Sequence, residues 1–224
     1  MGLFEKAKEQ LAPNPIRETL FGDMPLEQWP PENSISKTPP WDKFERARTC
    51  LANGDQRAAI DCWLQITQQP GLESRQYLQA WYFLRQNGQK PPPEMAKKVF
   101  GVVIEVAMPI GLDLLAAYSD YSARYYNFSG SGVIWEHPDD SLNVAIDQLI
   151  AVSKVVVDKI GPWEQPRPPV PPRDQARLNF LTPGGLHFGQ APMAALTRDP
   201  MAGRIFQSAT FLMKALIAKT NKSA

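Results

Sequence analysis

From residue 41 onward, apolar side chains recur three and four positions apart, the spacing that aligns them on one face of a helix. Phe44, Ala47 and Leu51 form the first stripe, Ala59, Ile60, Trp63 and Ile66 the second, and Tyr77, Leu78, Trp81, Tyr82 and Leu84 the third. Polar and turn residues separate them. Asn53 and Gly54 stop the first helix and Gln69, Pro70 and Gly71 the second, while Asp42 with Glu45 reads as a capping box and Asp55 as the cap of the second helix. Residues 41–90 are therefore expected to form a helical hairpin and a half.

After Pro91, Pro92 and Pro93 the period changes. Val99 to Met108 is a continuous apolar run, interrupted by Gly101 and Glu105, that suits a mostly buried strand. Leu112 to Tyr118, Ala123 to Phe128 and Val133 to Glu136 follow across short polar or glycine-rich connections, which predicts a four-strand antiparallel meander. Residues 141–160 return to helical spacing through Leu142, Ile146, Leu149, Ile150, Val156 and Ile160, and Gly161 and Pro162 end them. A proline-rich connector at 162–172 is expected to run extended. Two more strands, Ala176 to Thr182 and Leu186 to Phe188, flank the turn Pro183, Gly184, Gly185. Asp199 then caps a last helix buried through Ile205, Ala209, Leu212, Met213 and Leu216. The expected class is α+β: a helical module at 41–90 packed on a domain at 91–224, with an antiparallel sheet of five or six strands and two long helices.

Residues 1–40 differ from both. A short amphipathic stretch, Leu3, Phe4, Ala7 and Leu11, gives way to Pro13, Pro15, Pro25, Pro30, Pro31, Pro39 and Pro40, a density that excludes a long helix or a central strand. Two readings follow. In one the segment is an arm wrapped over its own domain or partly disordered; in the other Phe21, Leu26 and Trp29 anchor it to a protein partner.

The positions Leu51, Gly54, Asp55, Ala59, Ile60 and Trp63 are spaced as in a tetratricopeptide repeat, and about residues 42–86 resemble that family. The proline falls one residue early, at Pro70, and no second full repeat follows. Because solenoid repeats need about three copies to bury a continuous face, this resemblance implies that the segment packs on something else. From Tyr77 on, runs such as Leu112 to Tyr118, Ala123 to Tyr126 and Leu181 to Phe188 are similar to a group of bacterial proteins without assigned activity, which implies a bacterial, cytoplasmic protein. The order strands, helix, strands, helix also resembles the profilin or longin scaffold, a type that often serves for docking; fold analogy alone assigns no function.

Charge narrows the function classes. With 24 Lys and Arg against 23 Asp and Glu, a formal net charge of +1 supplies no broad field for phosphates, so nucleic acid is not expected as a partner. No run of apolar residues reaches the length of a membrane span, the first residues lack the apolar core of a signal peptide, and Lys6 occupies the position where a myristoylation signal needs Ser or Thr. Cys50 and Cys62 fall inside helical patterns and read as buried thiols in a reducing compartment, without the further ligands of a metal site.

Only His137 and His187 are available for acid–base work, and neither lies in a recognised catalytic signature. His137, Asp139 and Asp140 could offer nitrogen and oxygen ligands to a metal, but an Asp capping the helix that follows accounts for the same residues. No cofactor is expected. The loop from Thr182 to Gly189 holds three glycines, which allow a tight turn or a close approach to a ligand; it reads first as a hairpin and second as a site built on Gly184, Gly185 and His187, joined by Trp135 and Glu136. The aromatic series Tyr118, Tyr121, Tyr125, Tyr126, Phe128 and Trp135 is accompanied only by Arg124, which favours cross-strand packing over base stacking. These features make a non-enzymatic interaction or assembly subunit with a protein partner the leading expectation. A ligand-binding or enzymatic domain using the 182–189 loop, and an accessory of a bacterial defence or immunity system, are the alternatives.

Overall fold

Asp55 accepts a hydrogen bond from the Ala58 backbone N–H at 3.0 Å, and so starts the second helix where the sequence places it. In the computed structural model, which describes residues 15–31 and 38–220, that helix is α3 (Gln56–Gln68), preceded by α1 (Pro15–Glu18) and α2 (Trp41–Ala52) and followed by α4 (Ser74–Gln86). Leu3, Phe4, Lys6, Ala7 and Leu11 lie outside the described residues. One cap differs from expectation. α2 begins at Trp41 with Pro40 as its N-cap, which puts Asp42 inside the first turn instead of at the cap. The reciprocal cap occurs at α4, where the Glu73 backbone N–H donates to Gln76 Oε1 at 3.0 Å.

Helices α2 to α4 share a core of Phe44, Ala59, Trp63, Ile66, Phe83 and Leu84, onto which Leu26 and Trp29 of the arm pack. The opposite side of α4 meets the sheet: Leu78 joins Val103, Leu114 and Tyr118 in a second apolar cluster. Helices α2 to α4 therefore lean on the sheet.

The sheet is six-stranded and antiparallel, in the order β4-β3-β2-β1-β5-β6. Its strands are β1 (Gly101–Ala107), β2 (Leu112–Tyr118), β3 (Ala123–Tyr126), β4 (Gly132–Trp135), β5 (Gln175–Thr182) and β6 (Gly185–Pro192). The first four form the expected meander, and β5 and β6 add a hairpin beside β1. β6 runs four residues beyond the expected Phe188, to Pro192, and a short helix, α7 (Met193–Arg198), follows it. Gly189 and Pro192 break the apolar pattern that reveals strands, so the extension carries little signal in sequence.

The two sheet faces are covered differently. On one, Val102, Ile104, Leu178 and Phe180 pack against α6 (Asn143–Val157) and α8 (Ala202–Thr220) through Ile146, Leu149, Ile205 and Leu212. Asp199 caps the entry to α8 by accepting from the Met201 and Ala202 N–H groups at 2.9 and 2.8 Å. On the other face α4, the arm and the 162–172 connector form the cover together, with α5 (Pro93–Ala96) at its margin. Ile16, Leu20 and Phe21 from the arm and Val170 from the connector join this layer. Among the described residues, no helix is long and apolar enough to cross a membrane.

Candidate functional site

Where arm, connector and α4 meet the β5–β6 turn, they leave an open cleft of about 930 Å³. This lies within the range of about 300–1,000 Å³ usual for small-molecule pockets. Phe21 and Asp23 line it from the arm, Tyr82 and Arg85 from the last turns of α4, Trp163 and Arg167 from the connector, and residues 184–187 from the hairpin. Proline shapes two of these walls: Pro162 and Pro166 fix the connector around Trp163, whose indole N–H donates to the Pro166 carbonyl at 3.0 Å. The connector's backbone also joins the open edge of β6, with the Trp163 N–H donating to the Leu186 carbonyl at 2.6 Å.

The turn at Gly184 is tight because the chain behind it leaves no room. A Cβ at Gly184 would lie 2.6 Å from the Ala96 carbonyl oxygen, which accepts the Gly184 N–H at 3.0 Å. Gly185 follows at φ 132°, a conformation that favours glycine. Both glycines expected in a site thus serve the hairpin and line the cleft.

His187 contributes to the same wall but is buried, at 1% exposure, and among the described residues its ring nitrogens have no well-formed hydrogen bond, only an approach to the Gly185 backbone. Burial pushes its pKa below the usual histidine value, the Gly185 backbone partly offsets this, and Lys97 adds to the depression. Among the described residues no carboxylate orients the ring, the partner that a general-base histidine ordinarily has. Trp135 and Glu136 do not join it: they lie on and just beyond β4, at the opposite edge of the sheet from β6. Trp135 is buried in the sheet–helix core with the Lys219 ammonium 4.9 Å from its ring, and Glu136 pairs with Arg124. The expectation fails because turn chemistry places residues along the chain, whereas strand order decides which turns meet.

The cleft's two guanidinium groups differ in kind. Arg167 is saturated: its Nε donates to Asp23 Oδ2 at 2.7 Å, its Nη2 to Glu18 Oε2 at 2.5 Å, and its plane lies 4.2 Å from the Phe21 ring centroid. Burial would raise the Glu18 pKa, yet the hydrogen bond and charge of Arg167, helped by Arg17, hold it below the ordinary value. Arg85 has no acidic partner within ion-pair distance among the described residues, and burial lowers its pKa. Its one hydrogen bond, from Nη1 to the Pro183 carbonyl at 2.5 Å, ties α4 to the hairpin turn.

Beneath the connector lies a second polar cluster. Glu105, fully buried on β1, accepts from Arg17 Nε at 2.5 Å, Arg177 Nη1 at 3.2 Å and Asn179 Nδ2 at 3.0 Å. The two arginines also donate to connector carbonyls, Arg17 Nη2 to Pro168 at 2.8 Å and Arg177 Nη1 to Pro169 at 2.7 Å. Arg177 additionally donates to Gln190 Oε1 from Nε and Nη2, at 2.8 and 2.5 Å. Every bond in this set joins groups of the fold to one another. The cluster is structural: it fastens arm and connector to the sheet and so fixes two walls of the cleft.

The other sequence candidates are used locally. Asp139 Oδ1 accepts from the Ser141 N–H at 2.8 Å, the cap reading, and His137 Nε2 lies 3.2 Å from Asp140 Oδ1 on the surface. Among the described residues, no three His, Cys, Asp or Glu side chains gather as a metal site. Cys50 and Cys62 are free thiols, and burial pushes Cys62 up in pKa. Of the proposed arm anchors, Phe21 is buried in the sheet layer, and Leu26 and Trp29 are half-buried on the helical core.

Sequence reasoning missed Arg85, Tyr82, Trp163 and Arg167. Arg167 had a legible signal, a lone cation between prolines that hold it outside any helix. Arg85 had none, since a cation in the last turn of a helix is ordinarily solvated and complements the helix dipole. Comparison adds no identity: no family model matches the chain, and no curated protein or solved structure matches it significantly.

Proposed function

We propose that this protein is a binding protein whose site is the cleft between the arm, α4, the connector and the β5–β6 turn, and that its ligand is a small molecule. One observation carries the reading: a cleft of about 930 Å³ whose walls come from four separate segments and are held by an internal charge network. Mixed aromatic, proline and cationic walls suit recognition of an organic molecule by shape plus a few polar contacts. Binding is favoured over catalysis because His187 lacks an orienting partner and the carboxylates Glu18 and Asp23 are already committed to Arg167.

Native mass spectrometry of the protein isolated from its host tests this. The expected result is a single chain carrying a small-molecule mass that disappears in a Leu186→Trp variant, which adds bulk to the wall. An unliganded chain would contradict it.

A second reading, attachment to a protein partner, has its own observation. On the outer side of the α6–α8 pair, Val144, Val155 and Phe211 are exposed, at 78, 52 and 59%, and Phe211 lines a shallow groove with Gln148 and Val152. A discrete protein complex in the same experiment, lost on Phe211→Asp, would favour that reading.

A further inference from the structure

We infer that the cleft takes an organic carboxylate, with Arg85 as the group that receives its charge; this rests on the reading of the cleft as a ligand site. Among the described residues, Arg85 is the cleft guanidinium whose side edge no other protein group uses. Its Nη1 is anchored on the Pro183 carbonyl, while Nε and Nη2 donate to nothing among the described residues. That bond fixes the plane of the fork, and the remaining edge offers the two parallel N–H groups that match a carboxylate. Nε lies 4.0 Å from where a Cβ on Gly185 would stand, so the hairpin backbone passes directly beside this edge. A guanidinium stays protonated throughout the working pH range, so Arg85 presents a half-buried cation to the cleft whose charge only Asp23, beyond ion-pair distance, offsets among the described carboxylates.

The surroundings select the class of anion. Arg167 cannot compete, since Asp23 and Glu18 occupy its fork. The residues after Gln86, Gly88 and Gln89, line the cleft, so α4 presents its C-terminal end there. Lys90 and Lys97 add cations to the cleft, but the partial negative charge of the helix C-terminus and the carboxylates of Glu18, Asp23 and Glu164 disfavour a dianion such as a phosphate monoester more than a single carboxylate. Tyr82, Leu186 and Trp163 line the rest of the cleft and suit an apolar body on that carboxylate.

The test titrates the full chain with 4-phenylbutyrate, its neutral analogue 4-phenylbutyramide and phenyl phosphate, following backbone amides and the Arg85 Nε–H resonance by NMR. The acid is expected to bind at least about tenfold more tightly than the amide, as a charge-assisted hydrogen bond implies, and to shift the Arg85 resonance. Arg85→Met should remove the preference by weakening the acid far more than the amide, with the cleft shifts that 4-phenylbutyramide still induces reporting an intact cleft; Arg85→Lys should retain part of the preference. Equal affinity for acid and amide, with shifts confined to the cleft, would overturn the carboxylate assignment and leave the cleft reading standing. Tighter binding of phenyl phosphate than of the acid would overturn the choice of anion. Absence of cleft shifts with all three probes would overturn both readings.

Discussion

Arg17 and Glu105 stand 88 residues apart in sequence, and their side chains meet at 2.5 Å beneath the connector. Glu105 interrupts an otherwise apolar strand, and Arg17 belongs to a proline-rich arm, so each is anomalous alone and explained by the other. Together with Arg177 and the carbonyls of Pro168 and Pro169, they let a polar row cross a buried sheet face. Glu105→Ala leaves Arg177 without a carboxylate and Arg17 with only the more exposed Glu18, 3.2 Å away, and is expected to destabilise the fold by about 3–5 kcal/mol, as for other buried pairs that lose one partner. Urea denaturation checks this, with Glu105→Gln expected to fall between the variant and the parent.

Gly22 and Gly54 both adopt positive φ, +64° and +80°, but only Gly22 is crowded. A Cβ there would stand 2.8 Å from Leu78 Cβ and 2.9 Å from the Arg75 carbonyl oxygen, whereas Gly54 has nothing within 4 Å. Gly54→Ala should therefore cost about 1–2 kcal/mol from backbone conformation alone. Gly22→Ala should cost that plus about 1–3 kcal/mol of overpacking and loosen the arm from α4. Denaturation midpoints of the two variants, with amide hydrogen exchange over residues 19–25, separate the effects.

Removing Arg167 should open the connector. Its guanidinium satisfies Asp23 and Glu18 and covers Phe21, so Arg167→Ala is expected to cost about 1.5–3 kcal/mol through lost charge-assisted hydrogen bonds. Arg167→Lys should recover less than half of this, because an ammonium cannot span both carboxylates with a planar fork. Thermal unfolding of both variants, and faster limited proteolysis of the connector in the alanine variant, are the readouts.

Acidification should weaken the fold through His187. Its folded-state pKa lies below the ordinary value, so at mildly acid pH the unfolded chain takes up a proton that the folded chain refuses. The contribution is fully present above the ordinary histidine pKa of about 6.5 and is lost as the pH falls through and below it. Urea stability measured from pH 7.5 to 5.5 should decline in the parent and decline less in His187→Phe. Equal slopes would contradict the assignment.

The fold was largely legible because its elements rest on strong periodicity: the stripe Ala59, Ile60, Trp63, Ile66 became the face of α3, and the meander of β1 to β4 followed from connections too short for crossovers. The site was legible only at its hairpin. Gly184 and Gly185 announce a turn, but nothing local says that α4 delivers Arg85 behind it or that the 162–172 connector returns Trp163 to the β6 edge. Such meetings are fixed by strand order and by which loops pass over which sheet face, and these are long-range properties. Trp135 and Glu136 mark the same limit from the other side, since each lies near a plausible turn and both fall at the far edge of the sheet.

The central claim, that the cleft rather than the outer helix face receives a small ligand, is tested most directly by NMR mapping of a small-molecule library on the full chain. Amide shifts of the hits are expected to concentrate at Tyr82, Arg85, Trp163 and Leu186. Hits that leave those four amides unmoved and shift only Gln148, Val152 and Phe211 would contradict it.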